Sequence, residues 1–211
     1  MTGNPYRLYG RKNAGSLAVQ IVLEEIGVPY ELTLVSKSAA DVESLRRFNP
    51  TGKIPVLLLP DGTAVHESAA IIIHLAAAHP AARLAPTPGS SAHARFLQWM
   101  VYLSANLYEA ALRDSYAERY STAGAATAAG IRAQAQADEE RHLGVLHAAL
   151  GPYLLGETYS AADAYLYMLG GWYGGDQAQL LARLPKLARH AELLRARRAV
   201  ATADAAHADG G

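Results

Sequence analysis

Along the N-terminal part of the chain, the apolar positions switch between two spacings. Tyr6–Gly10 is a short aromatic and aliphatic run bounded by Pro5 and Gly10, which predicts a buried strand. From Ser16 onward, Ala18, Val19, Val22, Leu23 and Ile26 fall at helical spacing until Gly27 and Pro29 stop the helix. Residues 30–35 resume as a strand. Two strands joined through a helix form the unit that gives a parallel pair. A short helix is predicted over 40–48. Ile54-Pro55 then leads into the apolar run 56–59, Asp61-Gly62 supplies a turn, and Ala64–His66 returns as the second arm of an antiparallel hairpin. Ser68 opens another helix over 69–78. The order is therefore strand, helix, strand, helix, strand, strand, helix.

Pro80, Pro86, Pro88 and Gly89 punctuate residues 79–91 densely enough to mark a linker. Beyond it the pattern is helical throughout. Long helices are predicted over 92–117 and 131–150, and a third begins at Ser160, where Ser160 and Asp163 have the spacing of a capping box. A last helix over 186–199 precedes a small-residue tail expected to fray. The expected architecture is an α/β domain of order βαβαββα over 1–80, a linker over 81–90, and an all-α helical-bundle domain over 91–211.

Composition narrows the function. Lys plus Arg and Asp plus Glu each number 19 in the 211 residues, so no charge excess recommends nucleic acid or an anionic membrane as partner. A small molecule becomes the default ligand. The longest apolar stretches fall well short of the ~20 residues of a membrane span, and residues 1–7 lack an apolar signal-peptide core, so a cytoplasmic location is expected. The chain has no cysteine, which excludes disulfides, thiolate metal sites and a protein-borne thiol nucleophile. Any thiol chemistry must use a thiol that the ligand brings.

Several weaker signals point elsewhere and fail. Glu139 and His142 form one Glu-x-x-His on a predicted helix, but a dimetal bundle needs two such motifs and further glutamates, so this pair reads as a solvated face. The histidines show no ligand spacing, and no metal is expected. Gly52-Lys53 lacks the upstream glycine of a phosphate loop, the 170–175 stretch does not reproduce a dinucleotide fingerprint, and no Gly-x-Ser-x-Gly elbow occurs.

The run Asn49-Pro50-Thr51-Gly52-Lys53-Ile54-Pro55-Val56-Leu57, followed by Glu67-Ser68-Ala69-Ala70-Ile71, resembles the glutathione-site signature of cytosolic glutathione transferases. Leu155-Gly156 and Ser160-Ala161-Ala162-Asp163-Ala164-Tyr165 match the family's C-terminal position, so the resemblance spans nearly the whole chain. It implies a glutathione transferase fold, with a thioredoxin-like first domain that binds glutathione as cosubstrate and a helical domain that supplies the pocket for a hydrophobic electrophile. It implies detoxification chemistry and a homodimer, with bacterial, theta-, beta- and nu-like features. By the same resemblance, a cis Pro55 presents the Ile54 backbone to the cysteinyl part of glutathione, much as an added strand would. Ser68 meets the γ-glutamyl carboxylate at a helix start, Glu67 holds the ammonium, and Lys53 and Lys37 neutralise the glycyl carboxylate.

Such an enzyme stabilises a thiolate whose free pKa is ~8.5, and lowering it by ~2 units needs ~2.7 kcal/mol of preferential stabilisation. The family's usual catalytic residue is replaced here by Asn13-Ala14-Gly15-Ser16. Asn13 falls where theta- and zeta-like classes place a serine, and Gly15 where the beta class has cysteine. Tyr9 stands near the tyrosine position of other classes, and Ser16 is also placed to cap the helix. Ser16 and Asn13, then Tyr9, are the candidate thiol donors. Among the many tyrosines of the second half, Tyr108 falls near the active-site histidine of beta-class relatives, and Tyr102, Asn106 and Tyr108 are the candidate lining of the cosubstrate pocket. A glutathione-dependent disulfide reductase and a non-catalytic module of the same fold are the alternatives.

Overall fold

The computed structural model describes residues 4–208, so the first three and last three residues, on which parts of the expectations for the start of the chain and for its tail fall, lie outside the described residues. The chain forms two compact units, one of residues up to 85 together with those from 195 onward, the other of residues 86–194.

In the first unit, β1 (Tyr6–Gly10), β2 (Tyr30–Leu34), β3 (Val56–Leu58) and β4 (Ala64–His66) form one sheet in the order β2-β1-β3-β4. β1 pairs parallel with β2 and antiparallel with β3, and β3 pairs antiparallel with β4. Strand alternation then sorts the side chains. Tyr9, Val56 and Leu58 point to one face, where they pack with Leu45 of α2 (Ala39–Arg46) and with Phe48. Leu8 and Leu57 point to the other and are wholly buried. α1 (Ser16–Ile26) packs on β1 and against α3 (Ser68–Ala78). The order of strands and helices read from the spacing is present, with element ends shifted by a residue or two, and it makes the thioredoxin-like arrangement that the resemblance implies.

The C-terminal stretch departs from the expected single helix and frayed tail. It forms α9 (Pro185–Arg195) and, after a break, α10 (Arg198–His207). α10 packs along α1 in the first unit, and a forked ion pair between Arg197 and Glu25 pins its start. Ala199, Val200 and Ala203 supply a buried stripe that small residues alone can bring so close to a neighbouring helix.

The second unit is helical. The expected helix over 92–117 is α4 (Ser91–Tyr102), a π turn over Leu103–Leu107, and α5 (Tyr108–Ser115). α6 (Ala125–Ala149) starts earlier than its periodicity suggested, and α8 (Gln177–Arg183) was not foreseen. α7 (Ala161–Gly170) begins with the predicted capping box. Asp163, wholly buried, accepts hydrogen bonds from the Leu154 amide at 2.8 Å, the Ser160 amide at 2.8 Å and the Ser160 hydroxyl at 3.0 Å, and lies 3.2 Å from His190 Nε2 of α9. One carboxylate thus ties the turn, the helix start and α9 together.

Replacing Asp163 by alanine leaves those buried donors without an acceptor, so a loss of about 3 kcal/mol or more in unfolding free energy is expected. Urea unfolding of Asp163→Ala and Asp163→Asn measures it, and a midpoint within error of the parent for both would remove Asp163 from this role.

Candidate functional site

The sheet register gathers the predicted site residues of the first unit at one end. Tyr9 opposes Val56 and Val56 opposes His66, so the C-terminal ends of β1 and β4 and the start of β3 lie side by side. β2, parallel to β1, finishes there too, with Leu34 beside Gly10. Loops 11–15, 35–38 and 52–55 therefore collect at this end. So do the amino ends of α1 and α3, whose unpaired amides make it electropositive.

The loop after β1 is shaped by close packing. A Cβ on Gly10 would lie 2.5 Å from both Cβ and Oγ of Ser16, so only glycine lets α1 start against the strand end. Ser16, wholly buried, accepts a hydrogen bond from the Arg11 amide at 3.1 Å and donates to the Arg11 carbonyl at 3.1 Å. This corrects one expectation: Ser16 does not cap α1, since Gly15 is the N-cap residue and no side chain caps the helix. Arg11, which sequence reasoning did not single out, donates from Nε to the Val35 carbonyl at 3.2 Å and from Nη2 to the Ser36 carbonyl at 2.7 Å. Asn13 is exposed and has φ of +50°, a left-handed conformation that asparagine tolerates better than most residues.

Tyr9 packs at the edge of the sheet core. Its half-buried ring stacks on Phe48 at 5.4 Å between centroids within the Leu45, Val56 and Leu58 cluster, so its position is that of a core residue.

The second loop is held from within. Asn49, almost fully buried, donates from Nδ2 to the Lys53 carbonyl at 2.8 Å and accepts from the Thr51 amide and hydroxyl at 3.1 and 2.8 Å. The Ile54–Pro55 peptide is cis, and Lys53 is exposed. Lys37 is exposed on the loop after β2. Asp41 fixes that loop by accepting from the Ser36 amide and hydroxyl, bonds that hold its carboxyl below its ordinary pKa.

At the third segment, Glu67 is the N-cap residue of α3 with φ of +71° and ψ of 108°. A non-glycine residue with positive φ is strained, and such strain concentrates where a side chain must be aimed. The Glu67 carboxylate is exposed, 3.8 Å from His66 Nδ1, and the adjacent Ser68 is buried as the first residue of α3.

The second unit brings Tyr102, Asn106 and Tyr108 around the π turn. The Tyr102 hydroxyl shares a 2.8 Å hydrogen bond with His142 Nδ1, burial raising the pKa of the phenol and lowering that of the imidazole. Asn106 Nδ2 donates to the Tyr102 carbonyl at 3.3 Å, and the Tyr108 ring meets Trp172 edge-on at 5.3 Å. Trp172 went unmarked in the sequence, where its one signal is a lone tryptophan after two glycines. Tyr165, 6.4 Å from Tyr108, is wholly buried and belongs to the core. Glu139 and His142, expected on a solvated face, are buried instead, because α5 packs along that side of α6. Among the described residues, no three His, Asp or Glu side chains cluster as a metal would require, and no helix is long and apolar enough to cross a membrane.

Comparison with known proteins bears on the family and the fold. Residues 16–78 match the family model "Glutathione S-transferase, N-terminal domain". The chain is 29% identical to glutathione S-transferase GstA of Escherichia coli O157:H7 over 174 residues, covering 79% of this chain and 81% of that protein. Among solved structures, a glutathione transferase homologue from Sulfitobacter with bound glutathione superposes with a TM-score of 0.86 at 27% identity, over 96% of this chain and 98% of that one. A sphingomonad glutathione S-transferase complexed with glutathione is 30% identical, with a TM-score of 0.78 and coverage of 95% of this chain and 98% of the other. On the joint weight of fold, sheet-end geometry and these likenesses, the chain belongs to the glutathione S-transferase family.

Proposed function

We propose that the protein binds glutathione at the sheet end described above and stabilises its thiolate for attack on a hydrophobic electrophile. The observation that carries this reading is the convergence of two helix amino ends with the Ile54–Pro55 segment and the strained Glu67. An extended tripeptide with carboxylates at both ends suits such a place. Ser68 and the amides of α3 receive the γ-glutamyl carboxylate, Glu67 its ammonium, Ile54 the cysteinyl backbone, and Lys53 with Lys37 the glycyl carboxylate.

The sulfur then rests at the amino end of α1. Gly15 offers no side chain there and Ser16 is committed to Arg11, so backbone amides and the Asn13 carboxamide are the donors. An amide donates a hydrogen bond but removes no proton, so the site acts by electrostatic stabilisation rather than as a base. The electrophile is received by the helical unit around Tyr108 and Trp172, with Asn106 and Tyr102 beside them. The enzyme works in the cytoplasm as a homodimer.

Thiolate absorbance titration of the glutathione complex, run alongside aryl-halide conjugation, tests the reading directly. A bound thiol pKa near ~8.5, that of the free thiol, would overturn it. Turnover of a model disulfide without conjugation would shift the reaction to glutathione-dependent reduction.

Two variant sets follow. Asn13→Gly keeps the left-handed backbone and deletes the amide, so the bound thiol pKa is expected to rise and conjugation to fall by about tenfold. Ser16→Ala is expected to leave the thiol titration in place and to lower stability by about 1–3 kcal/mol. The reverse pattern would return the donor role to Ser16. Glu67→Gln and Ser68→Ala should each weaken glutathione binding by roughly tenfold in calorimetry, the loss of one charge-assisted contact, whereas Tyr9→Phe should bind as the parent does.

A further inference from the structure

Glu139 lies in the middle of α6 with none of its surface exposed, and among the described residues neither carboxyl oxygen has a hydrogen-bond partner. An ionised carboxylate in that position would be among the most unfavourable groups a helical core can hold. Its surroundings offer no relief. From α5, Asp114 presents a second carboxyl, itself buried, which accepts from Gln136 Nε2 at 3.0 Å and lies 3.8 Å from Arg132 Nε. Arg113, the nearest cation on α5, is already divided between Glu109 at 2.8 Å and Asp138 at 3.0 Å. From the segment after α7, Tyr173 adds a hydroxyl bonded to Glu140, and Glu140 also pairs with Arg183. That segment closes tightly over the site, since a Cβ on Gly174 would lie 1.8 Å from Asp114 Oδ2. One turn further along α6, His142 holds Tyr102.

We infer that a proton carried on Glu139 closes the seam between α5 and α6, and that losing this proton in mildly alkaline solution loosens the seam together with the aromatic surface borne by α5 and its π turn. Burial first, and the charge of Asp114 second, push the Glu139 carboxyl up to about 8, with Arg113 opposing weakly. In the unfolded chain the same group titrates near its ordinary value of 4.5. The folded state therefore binds a proton that the unfolded state has released. The folding equilibrium weakens as pH rises through this window, by roughly tenfold per pH unit, and levels off above about pH 8. His142 and His207, whose pKa values burial lowers, act with the opposite sign, adding stability as pH rises, but only below the ordinary histidine value of 6.5. Between the two limits the Glu139 effect stands clear.

Denaturant unfolding of the parent and of Glu139→Gln from pH 6.5 to 9 reads this difference. The glutamine variant is expected to be more stable than the parent by a margin that widens with pH to about pH 8. Amides of α5 and α6 in the parent should exchange faster than those of the variant at pH 9. Parallel stability curves for the two proteins would overturn the inference. Should the variant fail to fold, the parent labelled with carboxyl-¹³C glutamate supplies a second test. One side-chain resonance titrating near pH 8 supports the proton on Glu139, and a full set titrating below pH 6 refutes it. Neither experiment involves glutathione, so both stand apart from the proposed function.

Discussion

The two hydrogen-bond ladders of β1 position everything in the first unit. Paired parallel with β2 on one edge and antiparallel with β3 on the other, β1 forces the loops after β1 and β2, the start of β3 and the end of β4 to the same end of the sheet. Because side chains alternate, a slip of one residue in either ladder would turn Tyr9, Val56 and Leu58 away from α2 and send Leu8 and Leu57 into their place. The register is thus held by burial on both faces, and the loop-bearing end inherits its precision from this core, against which Val35 and Ile54 pack. Gly10 and Ser16 complete the link, since their close approach sets where α1 begins and where its amides point.

Two buried acids in the helical unit show opposite solutions to one problem. Asp163 gathers donors from a turn, a helix start and α9, so its charge is distributed over hydrogen bonds that also fix the local backbone. Glu139 gathers none, and a neighbouring carboxyl makes its ionisation harder still. The first acid is a fastener. The second is compatible with tight packing only as a neutral acid, which ties the α5–α6 contact to proton activity.

The site chemistry follows from absence of side chains as much as from their presence. With glycine at the helix N-cap and the neighbouring serine bonded to the Arg11 backbone, no side chain caps the amino end of α1. The left-handed backbone at Asn13 and Glu67 places both residues in conformations their neighbours must impose, which is consistent with two side chains aimed by the fold rather than by their own preference.

Local rules decided much of this protein before any packing. The strand and helix spacing of the first eighty or so residues, the Asp61-Gly62 turn, the Ser160–Asp163 cap and the Lys53-Ile54-Pro55 and Glu67-Ser68 runs each depend on neighbours within a few positions, and they were legible in the sequence together with the family they imply. Other features depend on residues far apart. Whether Ser16 faces a ligand or Arg11, whether Tyr9 is a donor or a wall of the core, and whether Glu139 meets water or α5 turn on contacts that linear spacing does not encode. The same holds for α10, whose Ala-rich composition reads as a frayed tail until α1, more than 170 residues earlier, supplies the surface that it buries against. Periodicity reports which face of an element is apolar, and only tertiary packing determines what that face meets and which polar groups are enclosed with it.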